Sequence, residues 1–231
     1  MSTYVFTPPA APSLGIVGQT GRFPIRRVFC VGRNYADHAR EMGHDPSREP
    51  PFFFTKPADA VVPASGTLAY PSLTEDLHHE IELVVAIGVG GADISPEDAH
   101  AHVWGYGVGL DLTRRDLQAE AKKLGRPWDW AKGFDESAPC TDLLPVATLG
   151  HPAEGSVWLD VNGTPRQRGD LQDLIWSIPE VIASISRAVR LQPGDLIFSG
   201  TPAGVGALVP GDVVTAGVQG VAELTLTIGP R

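Results

Sequence analysis

The chain has 231 residues and a net charge of −9, and it contains 26 glycines, 21 prolines and two cysteines. The acidic balance and the absence of a basic run argue against nucleic acid or an anionic membrane as the main partner. Two isolated cysteines do not form a disulfide framework, and no apolar run approaches the roughly 20 residues of a membrane span. No signal-peptide pattern is visible, so we expect a cytoplasmic protein.

The hydrophobic pattern predicts about ten strands and three or four short helices. The first 25 residues are rich in Pro, Ala, Gly and Thr and are expected to form a loosely structured arm before a single domain over 26–231. The predicted strands are 4–6, 14–17, 28–32, 52–57, 79–88, 103–112, 157–161 with its hairpin partner from 164, 195–199, and two within 212–228. The predicted helices are 35–42 with Asn34 as N-cap, 95–102 with Ser95 as N-cap, 114–124 with Thr113 as N-cap, and one that begins after Ser177 and buries residues up to Val189.

Helices do not alternate regularly with strands in this order, which argues against a doubly wound parallel sheet. The pattern therefore predicts an α+β fold that is mainly β, a mixed β-sheet roll or barrel with short peripheral helices. In the first helix, His38 and Glu41 are three residues apart and share a face. Gly43 is expected to end that helix.

The predicted strand from His79 begins with two carboxylates, Glu80 and Glu82. Side chains at positions i and i+2 of a strand lie on the same face, and two like charges repel unless a cation lies between them. Oxygen ligands favour a hard divalent ion such as Mg²⁺ or Mn²⁺. The alternatives are two glutamates on a solvated strand end, or a softer ion such as Zn²⁺ bound through His78 and His79.

Five short motifs occur together along the chain: Val31-Gly32-Arg33-Asn34-Tyr35-Ala36-Asp37-His38, Glu80-x-Glu82, Leu110-Asp111-x-x-x-Arg115-Asp116-x-Gln118, Pro127-Trp128 with Lys132-x-Phe134, and Gly200-Thr201-Pro202-x-Gly204-Val205-Gly206. In this order they resemble the fumarylacetoacetate hydrolase family, and in particular its acylpyruvate hydrolase branch, over residues 26–231. The resemblance implies the C-terminal-domain fold of that family and a homodimer. It also implies Mg²⁺ or Mn²⁺ held by Glu80, Glu82 and Asp111.

The resemblance further implies a reaction, the hydrolysis of a carbon–carbon bond in a 1,3-diketo acid. The expected substrate is fumarylpyruvate of gentisate degradation, cleaved to fumarate and pyruvate. His38, oriented by Glu41, matches the base that activates water, and Lys132 and Gln118 match donors to the oxyanion. The expected substrate-binding residues are Arg33, Lys56, Arg115, Thr201 and Gly200.

Several of these residues have a plain structural alternative. His38 is equally compatible with a solvated surface position, and Lys132 with an aliphatic stem covering aromatic surface. Arg115 is also suited to hold a metal-binding carboxylate instead of substrate. The glycine-rich segment 200–206 is compatible with a simple turn, and it lacks the ending of a phosphate-binding P-loop.

Two other functions remain open at this level. The same scaffold and metal site are suited to decarboxylation of oxaloacetate, or to isomerisation or decarboxylation of a dienedioate, which need no activated water. A binding protein without catalysis is the third possibility. The second carboxylate of fumarylpyruvate requires a cation in the distal part of the site, and Arg33, Lys56, Arg114 and Lys123 are the candidates.

Overall fold

The computed structural model describes residues 3–41 and 49–231, and these form a mainly β fold with few short helices. The strands are β1 Ser13–Ile16, β2 Gln19–Pro24, β3 Arg27–Gly32, β4 Phe52–Lys56, β5 Val61–Pro63, β6 Ser65–Leu68, β7 Leu77–His79, β8 Ile81–Ile87, β9 Val103–Leu110, β10 Thr113–Arg114, β11 Ala138–Cys140, β12 Leu144–Pro145, β13 Ser156–Val161, β14 Thr164–Asp170, β15 Asp195–Phe198, β16 Gly206–Leu208, β17 Val213–Val218 and β18 Ala222–Ile228. The helices are α1 Ala36–Glu41, α2 Arg115–Leu124, α3 Asp129–Lys132, α4 Val146–Leu149 and α5 Ile178–Ala188, with 3₁₀ turns at Ala58–Ala60, Ala99–His102 and Leu171–Asp173.

The strands form four sheets, and the two larger ones build the core. The largest sheet has the order β4-β3-β15-β8-β9-β11-β5, with β12 also paired to β9, and the second has the order β14-β13-β17-β18-β6. Parallel pairs (β3 with β15, β5 with β11, β6 with β18) occur among antiparallel ones. The small sheets are β10-β7-β16 and β1-β2. The predicted mixed, mainly β architecture is confirmed.

Strand β8 lies in the middle of the largest sheet, and all seven of its residues are buried. Its side chains alternate between two apolar clusters: Ile81, Leu83, Val85 and Ile87 belong to one, and Val84 and Ala86 to the other. This burial on both faces explains the continuous apolar run. Glu82 lies on the same face of the strand as Val84 and Ala86. Its carboxylate is therefore buried on an otherwise apolar face and needs polar partners.

Local sequence signals placed several elements correctly. Asn162 and Gly163 both have positive φ, 53° and 73°, as the tight hairpin between β13 and β14 requires. The capping box of α5 is present, with Glu180 reaching back to Ser177. Helix α2 ends at Gly125 in the left-handed conformation (φ 62°).

Three predicted caps or helices are wrong. Thr113 does not cap α2, because Thr113 and Arg114 pair with β7 and the helix begins one residue later. The Asn34 amide instead donates to the carbonyls of Trp176 and Ser199. The helix predicted over 95–102 is only the 3₁₀ turn Ala99–His102. The predicted helix end at Met42 and Gly43 lies outside the described residues.

The N-terminal arm is partly ordered. Residues 4–6 form no strand and are exposed, contrary to the prediction, whereas the predicted strand near 14–17 is confirmed as β1. The β1-β2 hairpin buries Leu14 and Phe23 in the second apolar cluster. The division of the chain at residue 25 stays a prediction. No helix within the described residues is long and apolar enough to cross a membrane.

Candidate active site

Three carboxylates meet where strands β8 and β9 lie side by side. The chain passes from β7 into β8 at Glu80, which belongs to neither strand, so the single strand predicted from His79 is in fact two. Antiparallel pairing of Ile81 with Leu110 sets Asp111, just after β9, opposite Glu80, and the Asp111 amide donates to the Glu80 carbonyl at 2.8 Å. Glu82, the second residue of β8, completes the group. Oxygen atoms of the three carboxylates lie within 4.8 Å of one another, and all three residues are buried.

Cationic side chains neutralise two of these carboxylates. Lys132 Nζ lies 2.7 Å from Glu80 Oε2 and 2.7 Å from Asp111 Oδ2. Lys56 Nζ lies 2.8 Å from Asp111 Oδ1, an ion pair without the alignment of a hydrogen bond. Arg115 donates to Glu80 Oε1 at 2.5 Å.

Glu82 is compensated differently. Its carboxylate accepts the backbone N–H of Gly200 at 2.7 Å, and within the described residues it forms no ion pair. Burial, followed by the charges of Asp111 and Glu80, holds the pKa of Glu82 well above its ordinary value. For Glu80, burial acts to raise the pKa, but Lys132 and Arg115 outweigh it and the pKa is well below the ordinary value.

These properties fit a divalent cation. Three buried carboxylates from three chain positions offer only oxygen donors, which suits a hard ion and leaves positions for water and substrate. The repulsion that raises the pKa of Glu82 is the interaction that a cation between the carboxylates would remove. His79 is not part of this group: its Nδ1 contacts Gln167 Oε1 at 2.9 Å, and the potential metal-binding set in the described part of the chain contains carboxylates alone.

Metal affinity is expected to fall as the pH is lowered. A metal requires ionised Glu82, whose raised pKa means that a proton competes for the site. Below that pKa, the apparent association constant for Mn²⁺ should fall by about tenfold per pH unit. Calorimetric titrations of Mn²⁺ between pH 6 and 8 in two buffers of different ionisation enthalpy would measure both the affinity and the released proton. Equal affinity across this range, without proton release, would show that Glu82 is already ionised.

A histidine–glutamate pair adjoins the carboxylates. His38 and Glu41, on α1, are in contact through Nδ1 and Oε2 at 3.2 Å. His38 is only 7% exposed and lines the cavity that also contains Glu80, Glu82 and Asp111. With Nδ1–H donating to Glu41, the other ring nitrogen, Nε2, is left to accept a proton.

The glycine-rich segment 200–206 connects the two groups. The Gly200 N–H holds Glu82, and the Gly204 N–H donates to the Glu41 carboxylate at 3.1 Å. Gly200 has φ 102°, and a Cβ there would lie 2.6 Å from the Cβ of Asn34. A larger residue does not fit this position. The segment is therefore more than a turn, because its backbone N–H groups position two carboxylates of the site, those of Glu82 and Glu41.

The other predicted site residues divide into two groups. Arg33, Arg115, Gln118, Lys132 and Thr201 line the cavity, whereas Lys56 and Gly200 do not. The fully buried Lys56 ammonium bonds to the Leu112 and Lys132 carbonyls and pairs with Asp111, which suits it to position that carboxylate. Arg115 bridges Glu80 and Gln118 Oε1, which favours the alternative that it orients a metal-binding carboxylate.

Several cavity residues escaped the sequence analysis. Phe52, Phe54, Trp128 and Lys122 line the cavity. For Lys122 a signal was present in the sequence, because it lies four residues after Gln118 on α2 and therefore shares that residue's helical face. The aromatic residues carried no comparable signal, since their strand and loop are separated by more than 70 residues.

Gln167, on β14, is a second missed residue. Its fully buried amide donates to Thr201 Oγ1 at 2.7 Å and to the Pro202 carbonyl at 2.8 Å. Its carbonyl oxygen lies 2.9 Å from His79 Nδ1 and accepts the Ile81 N–H at 3.2 Å. This one side chain joins the glycine-rich segment to the start of β8.

Replacing Gln167 with alanine is expected to destabilise the protein by about 3 kcal/mol, because several buried polar groups lose their partner together. Chemical denaturation in EDTA would measure the change. The matched control is Gln172→Ala, at an exposed glutamine whose side chain makes no hydrogen bond within the described residues. A loss below about 1 kcal/mol would show that water replaces the amide.

Comparison with known proteins agrees with this geometry. The model of the fumarylacetoacetate hydrolase C-terminal family matches residues 27–229. The chain belongs to this family. A fumarylpyruvate hydrolase of Ralstonia sp is 45% identical over 186 residues, which cover 80% of this chain and 96% of that protein. The mitochondrial oxaloacetate tautomerase of Homo sapiens is 40% identical over 203 residues, covering 88% and 91%.

A solved structure is closer still in sequence. The fumarylpyruvate hydrolase of Pseudomonas aeruginosa, in complex with Mn²⁺ and pyruvate, is 53% identical and superposes with a TM-score of 0.98 over 99% of this chain and all of that one. The family resemblance seen in the five motifs is thereby confirmed.

Proposed function

We propose that this protein is a metal-dependent hydrolase that cleaves fumarylpyruvate to fumarate and pyruvate. The observation that carries the proposal is the placement of the His38–Glu41 pair and the three carboxylates around one cavity. The similarity to fumarylpyruvate hydrolases supports the substrate. Pyruvate, held by the Pseudomonas aeruginosa protein, is one product of the proposed reaction.

Glu80, Glu82 and Asp111 would hold the metal, Mg²⁺ or Mn²⁺. When bound, such an ion supplies positive charge that offsets the negative charge developing on the pyruvate half of the substrate. The Mn²⁺ in the related structure supports a divalent ion, and the all-oxygen donor set suits either of the two.

The residues of the chain supply the proton transfers and the hydrogen bonds. His38 Nε2 takes a proton from water while Glu41 holds the ring, and the oxygen adds to the ketone carbon distal to the pyruvate carboxylate. The bond between that carbon and the methylene of pyruvate then breaks, and its electron pair leaves with pyruvate as an enolate, which is later protonated at carbon. Lys132 and Gln118 are the donors proposed for the developing oxyanion. Burial lowers the pKa of Lys132, but Asp111 and Glu80 raise it above the ordinary value, so it remains a cation.

The decay of absorbance of enolised acylpyruvates tests the proposal. We expect metal-dependent loss of fumarylpyruvate in Mg²⁺ or Mn²⁺, slower loss of acetylpyruvate, and none in EDTA. Loss of acetylpyruvate alone would keep the reaction and discard the substrate. Turnover of neither, with oxaloacetate still consumed, would refute the hydrolase.

Action on oxaloacetate is a second candidate function. The similarity to mitochondrial oxaloacetate tautomerases supports tautomerisation, and decarboxylation needs the same charge compensation. Neither reaction requires an activated water, so neither gives the His38–Glu41 pair its proposed task. We therefore rank them as side activities.

The proposal extends to a role in gentisate degradation, a cytoplasmic location and a homodimer. The pathway and the homodimer rest on the family resemblance, and the location rests on the sequence, in which no signal-peptide pattern is visible. Light scattering coupled to gel filtration would test the dimer, and a mass of about 24.5 kDa would identify a monomer.

A further inference from the structure

Most cations around the cavity already have an acidic partner. Lys132 is paired with Glu80 and Asp111, and Arg115 is paired with Glu80. Two cavity-lining cations differ: in the part of the chain that the structure describes, neither Arg33 nor Lys122 forms an ion pair.

Each of these two cations lies over an aromatic ring. Lys122 Nζ lies 5.3 Å from the ring centre of Trp128, and the Arg33 guanidinium lies 5.2 Å from that of Phe52. The two rings contact each other edge to face, with centres 5.4 Å apart. Cation–π contact keeps the positive groups over the wall of the cavity without neutralising them.

The charges around Lys122 leave it short of negative partners. Burial, and then the like charges of Arg115, Arg33 and Lys132, lower the pKa of Lys122, and among the main influences only Glu80 raises it. An anion placed between Lys122 and Arg33 would relieve this repulsion. The cavity thus combines a carboxylate cluster suited to a metal with a cation pair suited to an anion.

We infer that Lys122 and Arg33 form a subsite for a second carboxylate, so that Lys122 determines specificity for acylpyruvates with an acidic acyl end. The inference rests on the proposed function and assigns to these residues the binding of the acyl half of the substrate. Phe52 and Trp128 offer flat apolar surface to a planar conjugated chain, and the cations lie against that surface. Of the distal cations suggested by the sequence, Arg33 alone lines the cavity; Lys56 is buried behind Asp111, and Arg114 bonds to the Trp130 carbonyl.

The chain supplies a matched control in the next residue. Lys123 has the same charge and the same helix, but it is exposed and does not line the cavity. Lys122→Gln removes the proposed contact, Lys122→Arg keeps the charge, and Lys123→Gln removes an equal charge elsewhere. The Lys122 ammonium is partly covered, but the residue as a whole is exposed, so the substitution leaves the core unchanged.

The experiment compares kcat/KM for fumarylpyruvate with kcat/KM for acetylpyruvate, which lacks the second carboxylate. For Lys122→Gln, we expect the ratio of the two to fall by about tenfold or more, mainly through a higher KM for fumarylpyruvate. Lys122→Arg should keep most of the ratio, and Lys123→Gln should keep all of it. Calorimetry with metal-loaded protein should show that Lys122→Gln weakens binding of fumarate more than binding of crotonate, a monocarboxylate of similar shape.

The contrary outcomes are separable. Equal losses on both substrates, an unchanged ratio, or an equal effect of Lys123→Gln would overturn the subsite while leaving the hydrolase in place. If the wild-type protein cleaves neither acylpyruvate, the proposed function fails, and the subsite fails with it.

Discussion

Replacing His38 with alanine is expected to lower kcat for fumarylpyruvate hydrolysis by about 10²- to 10⁴-fold, the contribution typical of a positioned general base. The ring lies in the cavity with the three carboxylates, and Glu41 holds its Nδ1. The variant keeps those carboxylates, so metal affinity should change little. KM should also change little, because the ring acts on water and not on the substrate.

The same variant separates hydrolysis from the decarboxylation of oxaloacetate. Decarboxylation of oxaloacetate needs neither an activated water nor a base that removes a proton from carbon, so His38→Ala should retain measurable decarboxylase activity. His100→Ala is the control, because His100 is exposed and stacks on His151 outside the cavity. Steady-state assays would compare the kcat of each variant for fumarylpyruvate with its kcat for oxaloacetate. Equal loss of both activities would mean that His38 has a role common to them, such as binding the keto acid, and would remove the proposed distinction.

Glu41→Gln is expected to have a smaller effect than His38→Ala on the same assay. The glutamine retains an acceptor for the Gly204 N–H and for His38 Nδ1, but it loses the charge that stabilises a protonated ring. An effect as large as that of His38→Ala would indicate that the carboxylate itself takes up the proton.

The sequence anticipated those parts of the site that short-range spacing determines. Glu80 and Glu82 are two residues apart in an extended segment, and His38 and Glu41 lie within one helical turn, so the proximity within each pair follows from backbone geometry. Asp111 was added through the family resemblance alone. Its position opposite Glu80 depends on the pairing register of β8 and β9, which a strand pattern does not specify.

The errors arose where tertiary contacts compete with local preference. Asn34 is a residue type typical of an N-cap, but its buried side-chain amide donates to the backbone carbonyls of Trp176 and Ser199. Lys56 has a charge suited to bind a substrate carboxylate, but its ammonium is buried and forms an ion pair with Asp111. Gln167 offered no motif, because its four contacts come from distant segments. Side-chain type shows what a residue is able to bind, and only the fold shows which partner reaches it.

The second large effect concerns the metal ligands, where two isosteric substitutions are expected to act in opposite directions on the metal-free protein. Glu82→Gln and Asp111→Asn each remove one anionic oxygen from the carboxylate group proposed to hold the metal, so both should abolish metal-dependent turnover and the stabilisation expected from added Mn²⁺. In EDTA, however, the two carboxylates have different surroundings. Glu82 has a backbone N–H and two repelling carboxylates, whereas Asp111 pairs with Lys56 and Lys132.

Asp111→Asn should therefore destabilise the metal-free protein by about 3–5 kcal/mol, because it leaves two buried ammonium groups without their shared counter-charge. Glu82→Gln should instead stabilise it at pH 7. The folded protein binds a proton at Glu82 more tightly than the unfolded chain does, since burial and the neighbouring charges raise the folded pKa. Because of this proton binding, the wild-type protein loses stability as the pH rises above the ordinary carboxyl pKa. Glutamine does not titrate, so the variant does not lose stability in this way.

Thermal and urea unfolding in EDTA at pH 5 and pH 8 measure these signs directly. The gain from Glu82→Gln should be larger at pH 8 than at pH 5, because the wild-type protein becomes less stable through this group as the pH rises. Glu75→Gln, at an exposed acidic residue outside the cavity, is the control for loss of one negative charge. If Glu82→Gln and Asp111→Asn instead lower metal-free stability equally, Glu82 is ionised and paired in the folded protein. The description of the site as two neutralised carboxylates and one that requires a metal would then be wrong.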